Sequence, residues 1–339
     1  MSSSNGRGGA GGVGGSSEHP QYPKVVLVTG ACRFLGGYLT ARLAQNPLVI
    51  RNGEVDTVVH AAAASYAPRS GGSAALKELN VMGAMQLFAA CQKAPSVRRV
   101  VLKSTSEVYG SSPHDPVMFT EDSSSRRPFS QGFPKDSLDI EGYVRALGRR
   151  RPDIAVTILR LANMIGPAMD TTLSRYLAGP LVPTIFGRDA RLQLLHEQDA
   201  LGALERAAMA GKAGTFNIGA DGILMLSQAI RRAGRIPVPV PGFGVWALDS
   251  LRRANHYTEL NREQFAYLSY GRVMDTTRMR VELGYQPKWT TVEAFDDYFR
   301  GRGLTPIIDP HRVRSWEGRA VGLAQRWGSR NPIPWSGLR

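Results

Sequence analysis

Residues 25–45 constrain this chain more than any other stretch. Val25-Val26-Leu27-Val28 is a short, mostly β-branched run closed by Thr29-Gly30, the pattern of a strand buried on both faces. It leads through Ala31-Cys32-Arg33-Phe34-Leu35-Gly36-Gly37 into a helical stretch over Tyr38–Gln45, with Leu39 and Leu43 four apart. Such a turn aims the free N–H groups and positive dipole of the helix N-terminus at a phosphate, as in a dinucleotide-binding unit. Gly30 permits the tight turn and Gly36 lets the helix approach the strand. In the spacing G-x-x-G-x-x-G the middle position is Arg33. Its side chain obstructs the backbone's approach to a pyrophosphate unless the guanidinium binds the phosphate itself, a bidentate role that suits arginine. Phe34 and Leu35 complete the loop.

The same rhythm continues along the chain. Strand patterns at Val55–His60, Val97–Lys103 and Ile154–Leu159 alternate with helical patterns at Leu76–Gln92 and Asp136–Arg149. Strands alternating with helices imply a doubly wound parallel α/β sheet covered on both faces. The 339 residues suggest about two domains at roughly 150 residues each. Residues 1–20 are Gly/Ser-rich and are expected to be a disordered tail. Residues 21–167 form the dinucleotide-binding unit. After Gly166-Pro167 the elements shorten, and 168–305 read as a smaller mixed α/β substrate domain, with Phe216–Gly219 a candidate to return to the first unit. Residues 306–339 are an Arg/Pro-rich extension. There Val313, Trp316, Ala320, Leu323 and Trp327 mark one apolar helix face, packed back on the body or offered to a partner or membrane.

Composition narrows the partners. Net charge is +14, and only seven of the 42 basic residues are lysine. The excess attracts phosphates, but aromatics interleaved with arginine are confined to Trp316 and Trp327, so a nucleic-acid ligand is not expected. Two cysteines, Cys32 and Cys91, make neither a disulfide framework nor a metal set. No apolar run reaches the roughly 18–20 residues of a membrane span, and no apolar signal core opens the chain. A cytoplasmic protein without a metal is expected.

Further motifs carry a resemblance. Asp56-Thr57-Val58-Val59-His60-Ala61-Ala62-Ala63, Asn80-Val81-Met82-Gly83, Ser104-Thr105-Ser106-Glu107-Val108-Tyr109-Gly110 and Glu121-Asp122 with Arg127-Pro128 come in order. Next come Leu159-Arg160-Leu161-Ala162-Asn163-Met164-Ile165-Gly166-Pro167, Phe216-Asn217-Ile218-Gly219 and Asp275-Thr276-Thr277 before Leu283-Gly284-Tyr285-Gln286-Pro287. The chain resembles the NAD-dependent epimerase/dehydratase family, the extended short-chain dehydrogenases/reductases, over about residues 24–300. The resemblance implies a Rossmann-type sheet and a nicotinamide cofactor, NAD or else NADP. Gly30, Arg33, Phe34, Leu35, Gly36, Ala61, Ala62, Ala63, Asn80 and Lys135 would bind it. It further implies a nucleotide-sugar substrate on Thr105 and Asn163, the hydride chemistry of a UDP-glucose 4-epimerase, and a possible homodimer.

Two departures qualify this. The family's base is a tyrosine four residues before a lysine on one helix face. Lys135 matches the lysine, so the catalytic set reads Thr105, Lys135 and Gln131, and Gln131 cannot be that base. Because proton transfer contributes about 10²–10⁴-fold, turnover is expected to be low. A non-catalytic binder, and a dehydratase or reductase, are the alternatives. Thr105 and Glu107 match the T-D-E of sugar dehydratases, with Ser106 replacing the acid. Secondly, the family's second and third strands find no room between Gln45 and Val55; a crossover alone needs at least 10–12 residues, and about 35–40 are absent on this estimate. The acid that would hold the adenosine ribose goes with them. Asp56 precedes its strand and reads as a strand-start residue. Joining the first helix directly to the Val55 strand gives a left-handed crossover, found in only about 2% of cases, and leaves Val25–Val28 as an apolar edge.

Overall fold

The computed structural model describes residues 24–31, 34–50, 52–62, 77–126, 128–210, 212–240 and 262–308. Residues 1–20, Arg33, Ala63 and the Trp316–Trp327 face therefore lie outside the described residues, with the expectations that rest on them.

The chain opens with β1 (Val26–Thr29), α1 (Phe34–Ala44) and β2 (Thr57–His60). A π-turn over Glu78–Met82 leads into α2 (Gly83–Lys93), then β3 (Arg99–Thr105), a 3₁₀ turn over Ser106–Tyr109, α3 (Phe133–Arg150) and β4 (Ala155–Leu161). Shorter pieces come next: β5 (Asn163–Ile165), α4 (Thr172–Ala178), β6 (Leu181–Ile185), β7 (Arg191–Leu192) and β8 (Leu194–His196). The chain continues with α5 (Glu197–Ala210), β9 (Gly214–Ile218), β10 (Leu224–Met225), α6 (Leu226–Arg232) and β11 (Ile236–Val240). The last described elements are α7 (Arg262–Tyr270), β12 (Gly271–Arg272), α8 (Thr277–Val281) and α9 (Thr291–Gly301).

Five strands form one parallel sheet in the order β1-β2-β3-β4-β9. Phe216–Ile218 thus returns to this sheet beside β4. Alternate strand residues face opposite sides. Val59, Val101 and Leu159 pack under α1 and α5, against Leu39, Leu43, Leu204 and Ala207. Val58, Val100 and Ile158 pack under α2 and α3, against Phe88, Cys91, Ile140 and Val144. The crossovers through α1, α2 and α3 all step the same way across the sheet, yet α1 lies on the opposite face from α2 and α3. The first crossover therefore has the opposite hand to the next two, and the rule that such units are right-handed assigns the left hand to it. Strand β1 is the sheet margin. Among the described residues only Lys24, outside the strand, pairs beyond it, with Val49, and Leu27 stays 42% exposed.

The shorter elements build a second core. A three-stranded sheet, β10-β7-β12, and the pairs β11-β6 and β5-β8 surround Tyr176, Leu192, Leu194, Phe295 and Tyr298. Helix α9 is fixed at its start by a capping box between Thr290 and Glu293.

Candidate functional site

The glycine loop keeps the geometry its sequence requires. Gly30 holds φ +82°, and a Cβ there would stand 2.6 Å from Ala62 Cα. At Gly36 a Cβ would stand 2.2 Å from the Gly30 carbonyl oxygen. Only glycine allows the first turn of α1, the end of β1 and the chain beyond β2 to meet this closely. The helix begins at Phe34 rather than Tyr38, so Leu35 and Gly36 lie in its first turn, both buried. Ala61 donates its N–H to the Thr29 carbonyl, which ties the end of β2 to the end of β1. His60, 4% exposed, faces the Thr29 hydroxyl through Nδ1 at 2.8 Å, and its Nε2 has no hydrogen-bond partner. Burial first, and the Lys103 charge second, lower its pKa to about 4. The loop residues Gly30, Leu35, Gly36, Ala61 and Ala62 fit a phosphate-bearing ligand, while the His60 ring packs edge-on against Phe88.

Asp56 lies at the N-terminal end of β2, where it accepts from the Val25 N–H at 2.7 Å. It fixes the start of the sheet, at the end away from the glycine loop.

A cleft lies at the C-terminal ends of β3 and β4, where ligands of open α/β sheets bind. Thr105, Glu107, Asn163, Phe133, Tyr267 and Arg272 line it together with Lys103 and Glu263. Thr105 ends β3, and its hydroxyl accepts the Glu107 N–H at 3.2 Å, capping the 3₁₀ turn. Burial pushes the Glu107 carboxyl up, against the opposing charge of Arg272. Arg272, itself 6% exposed, donates to the Gly110 carbonyl at 2.8 Å and to the hydroxyls of Ser106 and Ser111 at 3.2 Å. Asn163 begins β5 and faces the same space.

Behind the cleft runs a closed polar network. Arg160 clasps Glu141 with Nε and Nη2 at 3.0 and 2.8 Å, and Ser104 donates to the same carboxylate at 2.6 Å. Arg160 Nη1 reaches the Tyr109 hydroxyl at 2.9 Å, which donates to Asn217 at 2.5 Å. Burial opposes ionisation of Glu141, but the bonds and charge of Arg160 outweigh it, and its pKa is held below the usual carboxylate range.

The structure does not bring Gln131 and Lys135 to Thr105. Gln131 is exposed and precedes α3, which starts at Phe133 behind Gly132 at φ +91° and with Pro134 in its first turn. Lys135 is half-exposed and ion-paired with Asp139 one turn along. Neither lines the cleft. The i, i+4 pair on the inward face is instead Phe133, whose ring lines the cleft, and Ser137, which is buried. Taking Lys135 as the anchor sets the register two residues off; counting from the Gly132/Pro134 helix start would have found Phe133. Asn80 is buried beside Asp136 of α3 and serves the contact between the π-turn and that helix. Tyr267 and Arg272 were not legible, since no local pattern joins residues some 160 positions apart. Among the described residues no cluster of His, Cys, Asp and Glu could hold a metal, and no helix is long and apolar enough to cross a membrane.

The sequence profile of the NAD dependent epimerase/dehydratase family matches residues 47–219, just over half of the chain. The chain belongs to that family. The match begins beyond the glycine loop. The chain is 90% identical over 376 residues to the uncharacterized protein Rv0501 of Mycobacterium tuberculosis (strain ATCC 25618 / H37Rv), with 100% of both covered. Against 376 aligned positions this chain has 339 residues, so 37 positions are unfilled here, and 339 residues make 90% of 376. The family member is also 28% identical to a dTDP-glucose 4,6-dehydratase of Streptomyces niveus over 77% of this chain and 71% of that one. In fold it is similar to MoeE5, solved with UDP-glucose and NAD, at a TM-score of 0.61 and 22% identity, covering 83% of this chain and 100% of that one.

Proposed function

We propose that this protein binds a nucleotide sugar in the cleft and a nicotinamide dinucleotide along Gly30, Leu35, Gly36, Ala61 and Ala62. Its chemistry is of the UDP-glucose 4-epimerase kind, at strongly reduced turnover. The observation that carries this reading is the cleft itself. Thr105, Glu107 and Asn163 stand together at the end of β3 and the start of β5, on the same edge of the sheet as the contact between Gly30 and Ala62. When bound, the dinucleotide supplies the acceptor and donor of hydride. Thr105 holds the sugar hydroxyl that reacts, and Asn163 orients the ring. The group that would take the hydroxyl proton is missing: Phe133 has no ionisable atom, and Ser137 carries no charge to lower a phenol pKa. A positioned acid–base group contributes about 10²–10⁴-fold, and the turnover is reduced on that scale.

The test is interconversion of UDP-glucose and UDP-galactose, with binding followed by thermal shift. UDP-glucose stabilises the protein, turnover is weak, and the variant Phe133→Tyr, alone and with Ser137→Lys, raises it. A normal rate in the unmodified protein contradicts the missing-base argument. Binding without turnover in every variant selects the second reading, a non-catalytic sugar-nucleotide binder, which the Phe133 ring favours. A dehydratase fits less well, because Ser106, where the dehydratase motif has an acid, is buried and its hydroxyl accepts from Arg272 at 3.2 Å.

A further inference from the structure

The cleft has a second phenol, from the smaller core rather than from α3. Tyr267 lies on α7 and is 6% exposed, and its ring lines the same space as Thr105 and Asn163. Its hydroxyl is buried and has no aligned hydrogen bond to protein; the Asn163 side chain approaches it and favours ionisation, but burial prevails and raises its pKa. The Arg272 guanidinium stacks on the ring, 5.2 Å from its centroid. An unpaired hydroxyl at such a position costs free energy unless a ligand or water completes it. The setting is polar, and the neighbours Glu107 and Asn163 are acceptors and donors in their own right.

We infer that Tyr267 is a sugar-contacting residue, whose hydroxyl donates a hydrogen bond to a hydroxyl of the bound hexose beside Thr105 and Asn163. The inference rests on the nucleotide-sugar reading of the cleft. The ligand class is set by the lining: a neutral polyol meets a phenol O–H, an amide and a carboxylate whose charge Arg272 balances. The phenol keeps its proton, so its role is to donate, and Glu107 accepts from the neighbouring position. Because Tyr267 stands among the residues proposed for the sugar, its hydroxyl discriminates sugar from nucleotide.

The experiment compares the protein with Tyr267→Phe by isothermal titration, using UDP-glucose and UDP as separate probes, with a thermal melt of each free protein. The phenyl ring keeps its place under Arg272. The expected result is about two- to tenfold weaker binding of UDP-glucose, the scale of one lost hydrogen bond. UDP affinity is unchanged, and the free variant melts at the same temperature or higher, because an unpaired hydroxyl has been removed. Unchanged UDP-glucose affinity overturns the inference, as does an equal loss for both probes. If the unmodified protein binds neither probe, the nucleotide-sugar reading itself fails, and the inference with it.

Discussion

The two margins of the five-stranded sheet are built differently. On the β4–β9 side, Glu141, Arg160, Ser104, Tyr109 and Asn217 form a network in which each side chain has a partner. On the β1 side the outermost strand has four residues, pairs along one edge, and leaves Leu27 in water. The first margin backs the cleft proposed for the sugar. The second adjoins the glycine loop proposed for the dinucleotide. The contrast fits the proposal that the chain keeps the substrate half of the family architecture while its dinucleotide half is shortened.

The largest expected effect lies on the closed side. Glu141 is wholly buried, so Glu141→Gln leaves the buried Arg160 charge without an opposing carboxylate. Removing one member of a buried pair costs about 3–5 kcal/mol, and a urea titration should show it. A loss under about 1 kcal/mol would mean that this side is no tighter than the other.

The second effect is a pH dependence at the shortened side. His60 binds its proton at about pH 4 in the folded protein, against 6.5 as its ordinary value. Its stabilising contribution is full above about pH 6.5 and is lost as pH falls from 6.5 towards 4, because only the unfolded chain takes up the proton in that window. At about 1.4 kcal/mol per pKa unit the loss approaches about 3 kcal/mol. Denaturant midpoints between pH 4.5 and 7.5 should fall with acidification, and His60→Gln should flatten that slope. An equal slope in the variant removes His60 from the account.

These two sites also show how far the sequence could be read. The β-branched runs and the glycine loop pointed to the parallel order of the sheet, because a continuous apolar run closed by glycine has few other uses. The left-handed first crossover was legible only on the condition that both elements keep their places; a rearranged sheet would have avoided it. Asp56 was legible as a strand-start residue from its place in the chain. The inward face of α3 was not legible while Lys135 served as anchor, since a lysine fits the expected chemistry but its ammonium is held by Asp139. Neither Tyr267 nor the Arg160 network carries a local signature; both exist because distant segments fold onto one sheet.

Smaller effects belong to the open margin. Leu27→Lys should change stability by less than about 0.5 kcal/mol, as exposed substitutions do, while reducing aggregation, because a charge blunts a free strand edge. Light scattering on concentrated samples checks this; unchanged scattering with a large stability loss would show that the edge is covered in solution. Without an acid to hold the ribose, the protein should not prefer NAD+ over NADP+. Tight NAD+ binding with rejection of NADP+ would mean that an acid such as Asp56 reaches the ribose.

The central claim, a complete sugar half beside a shortened dinucleotide half, is tested most directly by isothermal titration of one protein sample with UDP-glucose and, separately, with NAD+. The account predicts that UDP-glucose binds at least about tenfold more tightly than NAD+, a difference of about 1.4 kcal/mol. NAD+ binding more tightly than UDP-glucose would contradict it.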